Sequence, residues 1–290
     1  MTAQDTARDA SRGVTRSRAD LRSGVGSGPS TDPDVSARSA EVAHEEAPVA
    51  EPRRRRTRSE AELRALAEEG QRRFGDARGV DGALAVLQWV ADELGSGVAV
   101  ASSMANAVLP HLASRALPGV DVLFLETGYH FTETLGTRDA VAQTMDVTVV
   151  DVRPSLSVPD QDARYGARLH DRDPGLCCAI RKVEPLRAEL ATYDAWVTGV
   201  RREEASTRTG APVVQFDEKH GLLKVNPIAA WSWDELVGYA EEHGVLLNPL
   251  LLDGFPSIGC APCTQRVEPG ADPRSGRWAG LGKTECGIHT

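Results

Sequence analysis

Residues 120–130 read Val120-Asp-Val-Leu-Phe-Leu-Glu-Thr-Gly-Tyr-His130, a β-like apolar run that stops at a polar, glycine-containing loop. Two runs of the same kind flank it, Val98–Ala101 before and Val147–Val152 after. The stretches between them, Met104–Ala116 and Phe131–Met145, are helical in pattern, although Pro110 is expected to kink or end the first. The alternation continues downstream with a helix over Arg181–Leu190, a strand at Ala195–Val200 and β-like stretches at Val213–Phe216 and Leu222–Val225. Ser232 and Glu235 then cap a helix that reaches about His243. Upstream, Ser59 and Glu62 have the same capping-box spacing, followed by a stripe of Leu63, Leu66 and Ala67. A second helix, Gly82–Leu94, places Leu84, Leu87, Ala91 and Leu94 on one face. Strands alternating with helices predict an α/β fold around a parallel sheet with right-handed crossovers. Such sheets take ligands where strand ends feed loops, so the loops after Ala101, Leu125 and Val200 are the first places to look.

The chain has 290 residues, 41% of them apolar, enough for one substantial core. Its formal charge of −9 argues against broad nucleic-acid binding. No apolar run is long enough to span a bilayer, and Asp5 and Asp9 do not suit a secretory signal. Residues 1–57 contain no Phe, Trp, Tyr or Ile and read as a disordered tail, with the Arg53–Arg56 run as its solvated flank. The expected organisation is this tail, an α/β domain over 58–270, and a flexible C-terminal segment over 271–290. Self-association is left open.

All five cysteines lie after residue 176, and an odd number suits a reducing cytoplasm better than a disulfide framework. Cys177-Cys178 and Cys260-Ala-Pro-Cys263 can together offer four sulfurs to one metal centre, zinc or iron–sulfur. Unrelated buried pairs, a redox CxxC and a disulfide between the pairs are the competing readings. Cys286 stands apart near the C-terminus with Gly282 and Gly287 beside it, either a mobile nucleophile or an idle thiol. The cations Arg181-Lys182, Arg201-Arg202, Arg274 and Arg277 sit at strand ends or near glycine, where an anionic group could be held; surface solvation competes with that reading.

Taken together, several stretches resemble the assimilatory sulfonucleotide reductases, specifically the adenylyl-sulfate (APS) reductases that carry a [4Fe–4S] cluster. They are Glu126-Thr-Gly-Tyr-His130, Cys177-Cys-Ala-Ile-Arg-Lys-Val-Glu-Pro-Leu186, Trp196-Val-Thr-Gly-Val-Arg-Arg202, Gly254-Phe-Pro-Ser-Ile-Gly-Cys-Ala-Pro-Cys263, Ala271-Asp-Pro-Arg-Ser-Gly-Arg-Trp278 and Glu285-Cys-Gly-Ile-His289. The resemblance implies a Rossmann-like adenine nucleotide α-hydrolase fold and one cluster per chain on Cys177, Cys178, Cys260 and Cys263. It further implies that Cys286 attacks the sulfur of APS, releases AMP and becomes a cysteine S-sulfonate that reduced thioredoxin cleaves to sulfite. Lys182, Arg201, Arg274 and Arg277 fall where the family places its phosphosulfate contacts, with Ser102, Ser103 and His289 completing the substrate set. Relatives that use the 3′-phosphorylated nucleotide, PAPS, generally lack the cluster cysteines, which favours APS. One stretch departs from the family pattern: Ala101-Ser-Ser-Met-Ala-Asn-Ala-Val108 lacks the usual glycine and carries Asn106 where an acid is usual. A non-catalytic iron–sulfur module is the rival reading, and it gives no role to Cys286 or to a nucleotide pocket.

Overall fold

The computed structural model describes residues 56–281 and 283–289. Most of the tail expected over 1–57 therefore lies outside the described residues, as does Gly282. Arg56 and Thr57, placed in that tail by composition, are instead bonded into the domain: Arg56 donates to Tyr193 O and Gly221 O, and Thr57 to the Asp194 carboxylate.

The Ser59 capping box forms as its spacing predicts and opens α1 (Glu60–Phe74). Helix α2 (Gly79–Leu94) starts earlier than expected, and its buried face centres on Val86, Leu87 and Val90. The chain then runs through β1 (Val98–Ala101), α3 (Val108–Ala116), β2 (Val120–Leu125), α4 (Thr132–Thr144) and β3 (Val147–Val152). Helices α5 (Val158–Tyr165), α6 (Leu169–Arg172), α7 (Pro174–Cys178) and α8 (Glu184–Leu190) follow, the last two joined by a π turn, Ala179–Val183. Strands β4 (Ala195–Thr198), β5 (Val214–Asp217) and β6 (Leu222–Val225) and helix α9 (Trp233–His243) complete the frame, α9 starting from the Ser232 capping box.

Helix α3 corrects the expectation at Pro110. The helix begins at Val108, so Pro110 sits in its first turn, where a missing N–H costs nothing. Met104 cannot be helical because its φ is +57°.

The six-stranded sheet has the order β3-β2-β1-β4-β6-β5, parallel throughout except for β5, which pairs antiparallel with β6. Parallel alternation was thus legible; the antiparallel edge came from the short β5–β6 connection, which permits a hairpin but no crossover. Helix α1 lies against β5: Gln71 Oε1 accepts from Val214 N at 3.0 Å, and Arg64 stacks on Phe216 at 4.0 Å. Fully buried Leu63, Leu87, Leu112, Leu123, Phe124 and Trp196 join helices and strands in one core.

The chain winds outward from β1 to β3 and then returns to lay β4 on the other side of β1. Two adjacent parallel strands whose following loops diverge leave a crevice at their C-terminal ends. That switch point, between β1 and β4, fixes where a site can form.

Candidate active site

A cavity of about 600 Å³ opens at the switch point. It is lined from the three loops singled out by the strand pattern, through Ser102 and Ser103, Leu125 and His130, and Gly199 to Arg201. Lys182, Arg274, Arg277, Cys286 and His289 line it too, so every expected substrate residue and the expected nucleophile meet here.

The loop after β1 is held by local bonds. Ser102 Oγ accepts from Met104 N at 3.3 Å, and Asn106 Oδ1 accepts from Val108 N at 3.1 Å. From behind, the fully buried Asn248 donates to Met104 O at 3.1 Å and to Thr134 Oγ1 at 3.2 Å. Side-chain amides thus do the bracing that a glycine turn would do, which is how the departure at Asn106 is accommodated. Ser102 spends its hydroxyl on the loop, while Ser103 stays exposed at the rim.

The cations divide into two kinds. Arg201 is 6% exposed, and Glu203 at 3.3 Å, Glu204 at 3.6 Å and the Trp231 carbonyl already meet its charge. Arg274 donates to Thr284 O and Glu285, at 2.8 and 3.1 Å. Lys182 and Arg277 have no carboxylate partner among the described residues; the Arg277 guanidinium donates to Ser257 Oγ and Ile258 O, at 3.4 and 3.2 Å. Neither charge is met by a carboxylate, although Lys182 also bonds the Cys260 thiol, so both can meet an anion. Burial and the neighbouring Arg274 push the Arg277 guanidinium below its ordinary pKa, so added negative charge beside it would be stabilising.

Arg181 and Lys182 are neighbours in sequence with different work. Arg181 is buried, donating to Thr127 O and, at 3.1 Å, to Gln161, which ties the 126–130 loop to α5. Lys182 lines the cavity. Both lie in the π turn, a register change often found at sites.

Behind the cavity the four cysteines Cys177, Cys178, Cys260 and Cys263 surround a void of about 10 Å³, and none is in a disulfide. The pairing of the two motifs, made from spacing, is therefore spatial. Among the described residues no three His, Cys, Asp or Glu side chains converge tightly enough to hold a metal ion. Burial, with Cys178, Cys260 and Cys263 nearby, pushes the Cys177 thiol up to about 12. Cys260 goes the other way: Lys182, Thr127 and Arg277 overcome its burial and lower it. Thr127 Oγ1 lies 3.3 Å from Cys260 Sγ. Lys182 and Trp278 line both this void and the large cavity, forming the partition between them.

The C-terminal segment, free by composition, is docked. Glu285 pairs with Arg208 at 3.2 Å and Arg274 at 3.1 Å, Lys219 Nζ donates to Gly287 O, and His289 stacks on Trp196 at 5.5 Å and 22°. Cys286, between these anchors, is half-buried in the cavity wall. Sequence reading missed Arg208, Trp196, Asn248 and Trp278 because only the fold brings them to the site; Glu285 could have been found as the one acid beside Cys286.

The phosphoadenosine phosphosulfate reductase domain family matches residues 97–266. The chain belongs to the APS/PAPS reductase family. Relatives named adenosine 5′-phosphosulfate reductase include one from Streptomyces coelicolor, 58% identical over 80% of this chain and 97% of its own length. Another, from Mycolicibacterium smegmatis, is 54% identical over 80% of this chain and 97% of its own. The crystal structure of a phosphoadenylyl-sulfate (PAPS) reductase from Candida auris, a phosphate complex, has a TM-score of 0.58 at 23% identity, covering 73% of this chain and all of that one. At that identity the likeness concerns the fold, which is the family's α/β fold. No helix among the described residues is long and apolar enough to cross a membrane.

Proposed function

We propose that this family member reduces adenosine 5′-phosphosulfate to sulfite and AMP, in the cytoplasmic assimilation of sulfate toward cysteine. The observation that carries the reading is the placement of Cys286 in the same cavity wall as Lys182, Arg274 and Arg277. A thiolate beside cations suits attack on the sulfur of a sulfonucleotide. The Cys286 Sγ–S bond forms as the S–O bond to the phosphate breaks, and the cations take up charge on the leaving AMP. A thiolate of reduced thioredoxin then attacks Cys286 Sγ and sulfite departs with the electron pair. The second thioredoxin thiol resolves the mixed disulfide, so a dithiol is oxidised as S(VI) becomes S(IV).

The thiol set Cys177, Cys178, Cys260 and Cys263 suits a [4Fe–4S] cluster better than zinc. A cluster takes one thiolate per iron and spreads its ligands, whereas zinc needs four sulfurs at about 2.3 Å from one centre. These cysteines share one void, and the adjacent Cys177 and Cys178 lack the two to four residues that usually separate the ligands of a zinc site. When bound, the cluster would supply a fixed charge behind the Lys182–Trp278 partition. Lys182 holds its proton more firmly than an ordinary lysine: burial works against this, and the nearby Cys260 and Cys286 outweigh it. It can therefore orient the phosphosulfate as a cation. APS is the preferred nucleotide over PAPS, as the cluster cysteines imply.

Incubation with APS and no reductant should add one sulfo group to the intact mass, mapping to the peptide that contains Cys286. Thioredoxin should remove it as sulfite. Cys286→Ser should keep its iron and bind APS without turnover. Sulfite production by that variant, or an adduct on Cys177 or Cys263, would refute the mechanism. Zinc in place of iron in anaerobic preparations would refute the cluster.

A further inference from the structure

We propose that Arg56 is a positioning residue for Cys286, acting through the β5–β6 turn. The inference rests on the reading of Cys286 as nucleophile, but its geometry stands apart from that reading.

Arg56 closes the Arg53–Arg56 run, which composition assigned to a solvated flank, and it is half-buried. Its guanidinium donates to three carbonyls, Tyr193 O at 3.0 Å, Gly221 O at 2.6 Å and His220 O at 3.4 Å. A planar fork on three acceptors fixes orientation as well as distance, which a lysine cannot do. The next residues are pinned as firmly: the backbone N–H groups of Thr57 and Arg58 donate to the buried Asp194 carboxylate, at 3.0 and 2.9 Å.

The same turn carries one anchor of the C-terminal segment and braces a second. Lys219 Nζ donates to Gly287 O, immediately after Cys286. Asp217 gathers the rest: it accepts from the N–H groups of Lys219 and His220 at 3.1 and 3.2 Å, and its other oxygen accepts from Trp196 Nε1 at 3.1 Å. The His220 ring meets Trp196 edge-on at 5.3 Å, and His289 stacks on that indole. Arg56 therefore grips one side of a turn whose other side holds Gly287 and braces the indole on which His289 stacks. Without that grip the Glu285 pairs with Arg208 and Arg274, the packing of Ile288 on the core and the stack on Trp196 still hold the segment, so Cys286 is loosened rather than released.

A coupling of this kind requires evidence beyond adjacency. The test is the rate at which a thiol reagent modifies Cys286 in the resting full-length protein, read by peptide mass, with no nucleotide and no turnover. Its result is independent of which sulfonucleotide is used. Arg56→Ala should speed modification between about three- and tenfold, the effect of losing charge-assisted bonds that are partly open to water. Arg56→Lys should fall between it and the native protein. Arg64→Ala is the control, since it breaks the 2.6 Å pair with Glu218 on the same hairpin without touching residues 219–221. Linkage is reciprocal, so His289→Ala should raise hydrogen exchange at residues 56–58 and 218–221 while leaving α9 unchanged. Native reactivity in Arg56→Ala, equal acceleration in Arg64→Ala, or unchanged exchange at 56–58 in His289→Ala would overturn the proposal.

Discussion

Arg277 lies with its guanidinium against Gly259, so close that a Cβ built there would collide with it. Gly259→Ala should therefore expel a charge it does not itself carry. We expect it to lower kcat/KM for APS about as much as Arg277→Ala, with the cysteine set intact by iron content. Lys182→Ala and Arg277→Ala should each cost at least about tenfold, since a hydrogen bond to a charged group contributes roughly 1.5–3 kcal/mol and 1.36 kcal/mol is tenfold. Steady-state kinetics checks all three. Both cations were legible because each lies close in sequence to a cysteine motif or a glycine. Arg208 was not. In a chain this rich in arginine its neighbours carry no signal, and its partner Glu285 is far away in sequence. Nor could sequence tell Arg181, spent on Thr127 and Gln161, from Lys182 beside it; the π turn decides that.

At the level of the element, what was local was read well. The capping boxes at Ser59 and Ser232 depend on residues three apart, and both formed. The start of α3 was misplaced because Asn248, distant in sequence, holds Met104 in its left-handed conformation. The docked C-terminal segment was illegible for the same reason. Its His289 is held well below the ordinary value of 6.5, chiefly by burial and then by Lys224 on β6 and Arg208; Asp217 on β5 opposes them, and His220 from the adjoining turn adds to the depression. A released segment would carry an ordinary histidine. Above pH 6.5 both forms are neutral and docking is at full strength; as pH falls through 6.5 the released form takes up the proton and docking weakens. Modification of Cys286, expressed relative to a His289→Asn variant, should therefore rise between pH 7.5 and 5.5. A flat ratio would mean that His289 titrates equally in both states.

For the whole molecule, strand–helix alternation was enough to give the α/β class, but strand order depends on how the crossovers pack, which no local pattern contains. Asp194 shows how remote segments close the domain. It is fully buried and accepts from Thr57 N, Thr57 Oγ1 and Arg58 N. Removing it loses hydrogen bonds to a buried charge, and a bond to a charged group contributes about 1.5–3 kcal/mol. For a domain of this size Asp194→Ala should lower Tm by roughly 3–10 °C, measured by calorimetry on anaerobically purified protein. Among the described residues the sheet ends in two edge strands, β3 and β5, and unpaired edges recruit strands from other molecules. On one, Gln71 occupies the N–H of Val214 and Arg64 covers Phe216. On the other, Asp151 in β3 is bracketed by Arg138 at 2.8 Å and Arg153 at 2.9 Å, placing charge where a neighbouring strand would have to dock. Helix α1 thus acts as a guard against aggregation as well as a wall of the core, and a chain shortened past Gln71 should precipitate through β5 even where its cavity survives.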